Sequence, residues 1–267
     1  DMITAIQPNT VLVTLMLANN ESGAIQPVAA VAKECRKRGI LCHTDAAQAV
    51  GKMNVSLDSL GDVDMITLVG HKIGAPKGVA ALYVRPNCCH EHGRNLRDGC
   101  VLLFGGGQEC GRRGGTENVP YIVAMGQAAD IVQSEWETNA VHMEEMRERL
   151  LKNLTNELGD DAVRSNGPID STLRLPNTLS VGLRGVQSGN LLANIGDKVA
   201  ASAGAACHSS GASGISSVLM AMNVPEEFAR GTLRLSVGPT TSAEDVDKAA
   251  AIIASEAKKQ LADVKKG

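Results

Sequence analysis

Aromatic side chains are nearly missing from this chain of 267 residues, which contains one Trp, two Tyr and two Phe. Its core must therefore be built mainly from Val, Leu, Ile, Ala and Met. An excess of one charge is also missing, because 26 Lys and Arg residues stand against 29 Asp and Glu residues. Phosphate backbones are bound by clustered Lys and Arg, so this balance argues against nucleic acid as the main partner.

Long apolar runs are absent as well. None approaches the roughly 20 residues that a bilayer span needs, and the first residues, DMITAIQPNT, lack the basic and apolar regions of a secretory signal. We therefore predict no membrane segment. The chain begins at Asp1 and runs at once into strand-like sequence, so we expect it to be the remainder of a longer protein.

The cysteines are seven, an odd number at irregular spacings. This argues against a secreted disulfide framework and favours a reducing compartment. We expect the cytoplasm, with an organellar matrix as the alternative. Cys35 and Cys42 lie in core-like patterns and are expected to be inert. Adjacent ligands do not fit the usual spacing of structural zinc sites, so no metal site is predicted at the cluster formed by Cys88, Cys89, His90 and His92.

Short apolar runs rich in β-branched residues alternate with segments of helical period. This pattern predicts an α/β fold, a mostly parallel sheet with crossover helices. The domain prediction is a large domain over residues 1–134, which ends in a long bridging helix, and a smaller α+β domain over residues 135–267. The predicted strands are 11–17, 40–45, 63–69, 79–85, 176–183, 198–202 and 233–238, and the predicted helices include 27–39, 187–195, a long one after Thr116 and a last one capped by Ser242.

Polar residues that could take part in catalysis lie at the ends of two predicted strands. Asp45 closes one strand, and His71 and Lys72 follow the next. The ends of parallel strands lie at one edge of a sheet, where ligands bind. A cofactor of the pyridoxal kind requires such a pair, because the lysine forms a Schiff base and the acid keeps the pyridine nitrogen protonated. Taken singly, each residue is weak evidence, since most such acids are turn residues and most lysines are solvated.

Six stretches of the chain carry a family resemblance. They are, in order, ANNESGAIQP, HTDAAQAVGK, GHKIGAPKGVAALYVR, GGGQECGRRGGTENVP, SAGAACHSS and LRLSVGPTT. Together they resemble the cysteine desulfurase and selenocysteine lyase family of pyridoxal-phosphate enzymes, of the class V aminotransferase type. The resemblance implies a fold type I pyridoxal-phosphate enzyme that removes selenium or sulfur from L-selenocysteine or L-cysteine and gives L-alanine.

The resemblance also implies which residues bind pyridoxal 5'-phosphate. Lys72 matches the lysine that holds the cofactor covalently and moves protons, and Asp45 matches the partner of the pyridine nitrogen. Gln48 matches a residue at the phenolic oxygen, and His71 matches a phosphate-binding position. Thr116 matches a threonine that reaches the phosphate of the neighbouring subunit, which implies a homodimer.

Three further residues would act on the amino-acid substrate. Asn20 matches a residue beside the phenolic oxygen and the substrate carboxylate, and Arg234 matches the arginine that clamps that carboxylate. Cys207, in a run of small residues, matches the thiol that takes the sulfur as a persulfide, which implies an acceptor protein for sulfur or selenium. His208 beside it could lower the thiol pKa, although a solvated loop histidine is the ordinary interpretation.

The chain departs from the family pattern in two respects. Val69 stands where many members have a serine that touches the phosphate, and this favours the selenocysteine lyase branch. An earlier family segment, with a phosphate-binding loop and a histidine that stacks on the cofactor ring, has no counterpart here, so we expect either a separate chain that supplies it or a truncated product.

Two other functions stay open at this point. The chain could be another class V aminotransferase-type enzyme, in which Cys207 is incidental. It could also be a non-catalytic subunit that lacks the segment needed to hold the cofactor.

Overall fold

The computed structural model describes residues 2–86, 88, 103–203 and 215–264. The chain divides into two compact units. The first unit comprises Asp1–Leu17 and Gln26–Trp136, and the second comprises Ala18–Ile25 and Glu137–Gly267. The short segment 18–25 therefore belongs to a different unit from the residues on either side of it.

The first unit is a four-stranded sheet with helices. The strand order is β1-β2-β3-β4, in which β1, β2 and β3 are parallel and β4 is antiparallel to β3. This arrangement confirms the predicted α/β class with a mostly parallel sheet. Its elements are α1 Met2–Ala5, β1 Leu12–Met16, α2 Val28–Lys37, β2 Leu41–Asp45, α3 Leu57–Leu60, β3 Met65–Val69, β4 Ala80–Val84, α4 Gln108–Gly111 and the first part of α5 Val119–Leu158.

Helix α2 forms where the sequence predicts it, and its sequence explains both its face and its end. Its buried residues are Val28, Val31, Ala32 and Cys35, which recur every three or four positions and so form one apolar stripe. Gly39 follows with a φ of 67°, a left-handed conformation that favours glycine and ends the helix. The chain then turns into β2, which pairs with β1 from Leu12↔Leu41 to Met16↔Asp45.

The second unit is an antiparallel sheet with the order β5-β6-β8-β7. Every residue of β6 is buried, and its apolar side chains join those of β8 and of the last helix in one core cluster. Its elements are the remainder of α5, β5 Val163–Asn166, β6 Thr178–Leu183, α6 Ser188–Ile195, β7 Ser202–Ala203, α7 Ser217–Ala221, α8 Glu226–Ala229, β8 Thr232–Ser236 and α9 Ala243–Val264.

Some elements of this unit differ from the sequence prediction. The strand predicted over 198–202 is present only as β7, and the sequence pattern does not predict β5, α7 or α8. The N-cap prediction for the last helix is confirmed, because the Ser242 hydroxyl accepts from the Asp245 amide at 3.1 Å. Hydrogen bonds from Ser242 to the Asp245 carboxylate lower the pKa of Asp245. Within the described residues, no helix has the length and apolar character of a membrane span.

The turn after β3 depends on a glycine. Residues Gly70–Lys72 form a 3₁₀ turn, and the Gly70 amide donates to the Val79 carbonyl at 3.0 Å. A Cβ atom at Gly70 would lie 2.8 Å from Val79 Cγ1 and 2.9 Å from the Val79 carbonyl oxygen. These distances are too short for any side chain, so the close approach of Val79, the residue before β4, fixes the start of the turn.

We predict that Gly70→Ala destabilises the protein by about 1–3 kcal/mol, because the added methyl group overpacks the contact with Val79. Gly126→Ala is the matched control, since Gly126 lies in α5 with nothing within 4 Å of its Cβ position. Alanine there should stabilise the helix by up to about 1 kcal/mol. Urea unfolding measures both changes, and equal unfolding free energies for the two variants would contradict the packing argument.

Candidate active site

Asp45 lies at the carboxyl end of β2, and its backbone is fixed by both neighbouring strands. Its carbonyl accepts from the Leu17 amide at 2.8 Å, and the next amide, Ala46, donates to the Thr67 carbonyl at 3.0 Å. The side chain is exposed, and Oδ1 accepts from the Ala47 amide at 2.8 Å. The carboxylate forms no ion pair with any described residue, so it is rigidly placed and open to a ligand.

Lys72 and His71 lie at the end of the next strand. Because β2 and β3 are parallel, with Asp45 paired to Thr67, the turn Gly70–Lys72 begins at the same edge of the sheet as Asp45. The side chains of His71 and Lys72 are exposed. Among the described residues, Lys72 has no hydrogen-bond or ion-pair partner. The sheet edge therefore carries an exposed carboxylate at the end of β2 and an exposed amine in the turn after β3.

Lys52 also lies near this edge of the sheet, although the sequence pattern does not mark it as a site residue. A Cβ atom on Gly51 would lie 3.8 Å from Ile73 Cγ2 and 3.2 Å from Val132 Cγ2, so the turn before Lys52 packs beside the residue after Lys72. Lys52 is half-buried. Burial, together with a smaller contribution from the nearby Lys72 ammonium, lowers the pKa of Lys52 to about 8.

A histidine links the three parallel strands two residues before Asp45. His43 Nδ1 lies 2.6 Å from the Thr14 hydroxyl on β1, and Nε2 lies 2.9 Å from the Thr67 hydroxyl on β3. Burial lowers the pKa of His43, so the neutral ring donates through one nitrogen and accepts through the other. The sequence contains one indication that His43 matters, because it is the first residue of the HTDAAQ motif.

Gln48 and Thr116 belong to the same unit but form no described contact with Asp45 or Lys72. Gln48 is half-buried in the turn that follows β2, and Thr116 is exposed in the segment before α5. The cofactor roles that the resemblance gives them stay predictions. Val69, the last residue of β3, is half-buried where the family pattern has serine.

The predicted substrate-binding residues lie together in the second unit. Arg234, on β8, is half-buried, and its Nη1 donates to the Asn20 carbonyl at 3.0 Å. The backbone of Asn20 is fixed, because the Asn19 side-chain carbonyl accepts from the amides of Glu21 and Ser22 at 2.9 Å each. The rest of the Arg234 fork has no hydrogen bond to a described residue. A planar fork held by one nitrogen in this way suits a carboxylate.

The predicted thiol, Cys207, lies outside the described residues, as do His208, Cys89, His90 and His92. Among the cysteines that are described, Cys35 and Cys42 are buried and free. Burial raises the pKa of Cys42 to about 12 and also raises that of Cys35, so neither is a reactive thiolate at neutral pH. In the described part of the chain, no three His, Cys, Asp or Glu residues cluster in a way that could hold a metal ion.

The sequence profile of the Aminotransferase class-V family matches residues 1–249. The chain belongs to this family. It is 40% identical over 261 residues to the selenocysteine lyase of Homo sapiens, and the match covers 92% of this chain and 56% of the relative. It is 39% identical over 249 residues to a cysteine desulfurase of Nostoc sp., with 93% of this chain and 58% of the relative covered.

A solved structure supports the same family. A NifS-like protein superposes with a TM-score of 0.80 at 34% identity, and the match covers 95% of this chain and 63% of that one. The resemblance to desulfurases and selenocysteine lyases is thus confirmed. The chain spans 56 to 58% of the length of the two curated relatives named above.

We predict that the Lys52 side chain titrates near pH 8 and that Lys72→Ala raises its pKa, because the variant removes a positive neighbour. The control is Lys77→Ala, which removes an exposed lysine five residues further along. Nuclear magnetic resonance of isotope-labelled lysine side chains measures the midpoint directly. An unchanged Lys52 midpoint in Lys72→Ala would show that the two amines do not interact.

Proposed function

We propose that the chain forms part of a pyridoxal-phosphate-dependent lyase, which removes selenium or sulfur from L-selenocysteine or L-cysteine and gives L-alanine. The observation that carries the proposal is the placement of Asp45 and Lys72 after neighbouring parallel strands, at one edge of the sheet. The relatives named selenocysteine lyase and cysteine desulfurase support the substrate class.

The groups at this edge fit pyridoxal phosphate. The free Lys72 amine suits its aldehyde, and the exposed Asp45 carboxylate suits its protonated ring nitrogen. Lys52 and His71 add nitrogen groups at the same edge, which suits an anionic phosphate. Gln48 would contact the phenolic oxygen and His71 the phosphate. Thr116 would reach the phosphate of a second copy of the chain, so we propose a homodimer.

The proposal assigns a separate role to Lys72 and to Arg234. Bound pyridoxal phosphate supplies an electron sink for negative charge at the α-carbon of an amino acid. Lys72 would hold the cofactor through Nζ, and the same nitrogen would carry the α-proton of the substrate. Arg234, held by the Asn20 carbonyl, pairs with the substrate carboxylate.

Cys207 is the proposed acceptor of the chalcogen. The bond between the β-carbon and the sulfur or selenium breaks, and a bond from that atom to Cys207 Sγ forms. The β-carbon keeps the electron pair of the broken bond and takes up one proton, which balances the proton that the Cys207 thiol loses, and the carbon skeleton leaves as alanine. We propose that an acceptor protein then receives the sulfur or selenium, and that the reaction takes place in the cytoplasm. A separate chain that supplies the missing family segment stays part of the proposal, as does a preference for selenocysteine based on Val69.

We expect the chain, mixed with pyridoxal 5'-phosphate and reduced with borohydride, to carry a pyridoxyl group on Lys72, because borohydride fixes a Schiff base irreversibly. Peptide mass mapping locates the group. Lys72→Ala should lose the label and Lys77→Ala should keep it. Labelling of Lys52 instead of Lys72 would contradict the assignment, and no adduct in any variant would favour a non-catalytic subunit.

We expect alanine to be released from L-selenocysteine at least about 10-fold faster than from L-cysteine, because the carbon–selenium bond that breaks is weaker than the carbon–sulfur bond and Cys207 accepts the selenium. Amino-acid analysis measures the release. Equal rates would contradict the preference for selenocysteine. A Cys207→Ser variant that turns over both amino acids at the rate of the parent would instead favour another class V aminotransferase-type enzyme.

A further inference from the structure

Two polar side chains of the second unit are buried close to the segment that contains Asn20. Arg174 is 6% exposed and Asn166 is 1% exposed. The Arg174 Nη2 donates to the Asn166 carbonyl at 3.0 Å, and both terminal nitrogens lie 3.3 Å from the Ser165 hydroxyl. Within the described residues, Arg174 contacts no carboxylate, and its Nε is buried without a hydrogen-bond partner.

A buried guanidinium of this kind is costly to fold. Desolvation disfavours its charge, and hydrogen bonds to neutral oxygens offset only part of that cost. Burial accordingly lowers the pKa of Arg174 and the charge of Arg147 lowers it further, against smaller opposite effects of the Glu148 and Glu144 charges. An apolar residue would fill the position with a smaller desolvation penalty. The hydrogen bonds of the Arg174 guanidinium to Ser165 and Asn166 must therefore serve to hold the backbone at Arg174 in place.

The backbone at Arg174, rather than its side chain, contacts the segment 18–25, which we call the substrate loop. The backbone at Arg174 forms a bridge with Ala24. On either side of that bridge, the Leu175 amide donates to the Gly23 carbonyl at 2.8 Å, and the Ile25 amide donates to the Leu173 carbonyl at 2.8 Å. The far side of the same loop is held by Arg234, through the Asn20 carbonyl at 3.0 Å.

Asn166 connects these two ends. Its Nδ2 donates to the Ser180 hydroxyl at 3.2 Å and to the Thr232 hydroxyl at 3.4 Å. Ser180, on β6, pairs directly with Arg234 on β8. The substrate loop is therefore held at one end by the backbone at Arg174 and at the other by the Arg234 side chain. The Arg174 side chain is linked to Arg234 through Asn166 and the paired strands β6 and β8.

We propose that Arg174 and Asn166 are positioning residues for carboxylate binding: they set the substrate loop so that the Asn20 carbonyl holds the Arg234 fork toward a carboxylate. The proposal rests on the proposed function for the identity of the substrate, but the clamp on the loop is independent of catalysis. It extends the carboxylate site from Arg234 to a buried arginine 60 positions earlier in the chain.

The first test measures the loop without any cofactor or substrate, by hydrogen–deuterium exchange of a peptide that covers residues 18–26. Arg174→Gln should speed exchange of the loop amides by about 10-fold or more, because the backbone that bridges the loop loses its side-chain anchor on Ser165 and Asn166. Arg164→Gln is the matched control, since Arg164 is an exposed arginine on the neighbouring strand β5. Loop exchange in Arg174→Gln equal to that in the parent would overturn the proposal.

A second variant guards against a folding defect in Arg174→Gln. Ser165→Ala removes one hydroxyl that the fork contacts at 3.3 Å and leaves the guanidinium in place. It should speed loop exchange in the same direction but less, while exchange of core amides in β6 stays at the parent rate. Faster exchange in β6 as well as in the loop, in both variants, would show a general loss of stability and overturn the proposal.

The last measurement addresses the carboxylate. Arg174→Gln should raise the KM for the amino acid by about 10-fold with kcat within about twofold, the signature of lost uniform binding. The same change in affinity is expected for L-alanine, measured by calorimetry with the full chain. If the parent releases no alanine from either amino acid, the proposed function fails, whereas the exchange result and the L-alanine affinity still decide the role of Arg174.

Discussion

The parallel hydrogen bonding of β2 to β3 is the constraint from which the candidate active site follows. It places Asp45 opposite Thr67, so that the chain leaves both strands at the same edge and delivers Lys72 three residues beyond β3. A strand of five residues spans about 17 Å, so an antiparallel β3 would have carried the lysine to the opposite edge of the sheet. Side-chain chemistry at this edge is thus decided by backbone direction.

Much of the first unit could be predicted from the sequence because its strands are short, β-branched and bounded by clear turns. The strands around Val13, Cys42 and Ile66 are bounded to within two residues, and the alternation of strand and helix already indicates parallel pairing. Asp45 and Lys72 could be found because Asp45 closes one strand and Lys72 lies just beyond the next. Strand order and the antiparallel direction of β4 needed the structure, since they depend on contacts between distant residues.

Lys52 and Arg174 show what the sequence could not supply. Lys52 looks like an ordinary turn lysine until the packing of Gly51 beside Ile73 brings it near a second ammonium. Arg174 looks like a solvated arginine until the bridge to Ala24 buries it. Both depend on tertiary contacts between segments well separated along the chain, and composition and periodicity carry no information about such contacts. β5 was not predicted because three of its four residues, Arg164 to Asn166, are polar and do not form the apolar pattern of a buried strand.

The hydrogen bonds of His43 to Thr14 and Thr67 have a consequence for behaviour in acid. A threonine hydroxyl can rotate from donor to acceptor, so a proton added to the ring would be met by a turned hydroxyl while every heavy atom keeps its place. Resistance to that proton comes from burial alone. The spacing of β1, β2 and β3 therefore stays the same when the His43 ring is protonated, because the Thr14 and Thr67 hydroxyl groups on its two sides can rotate.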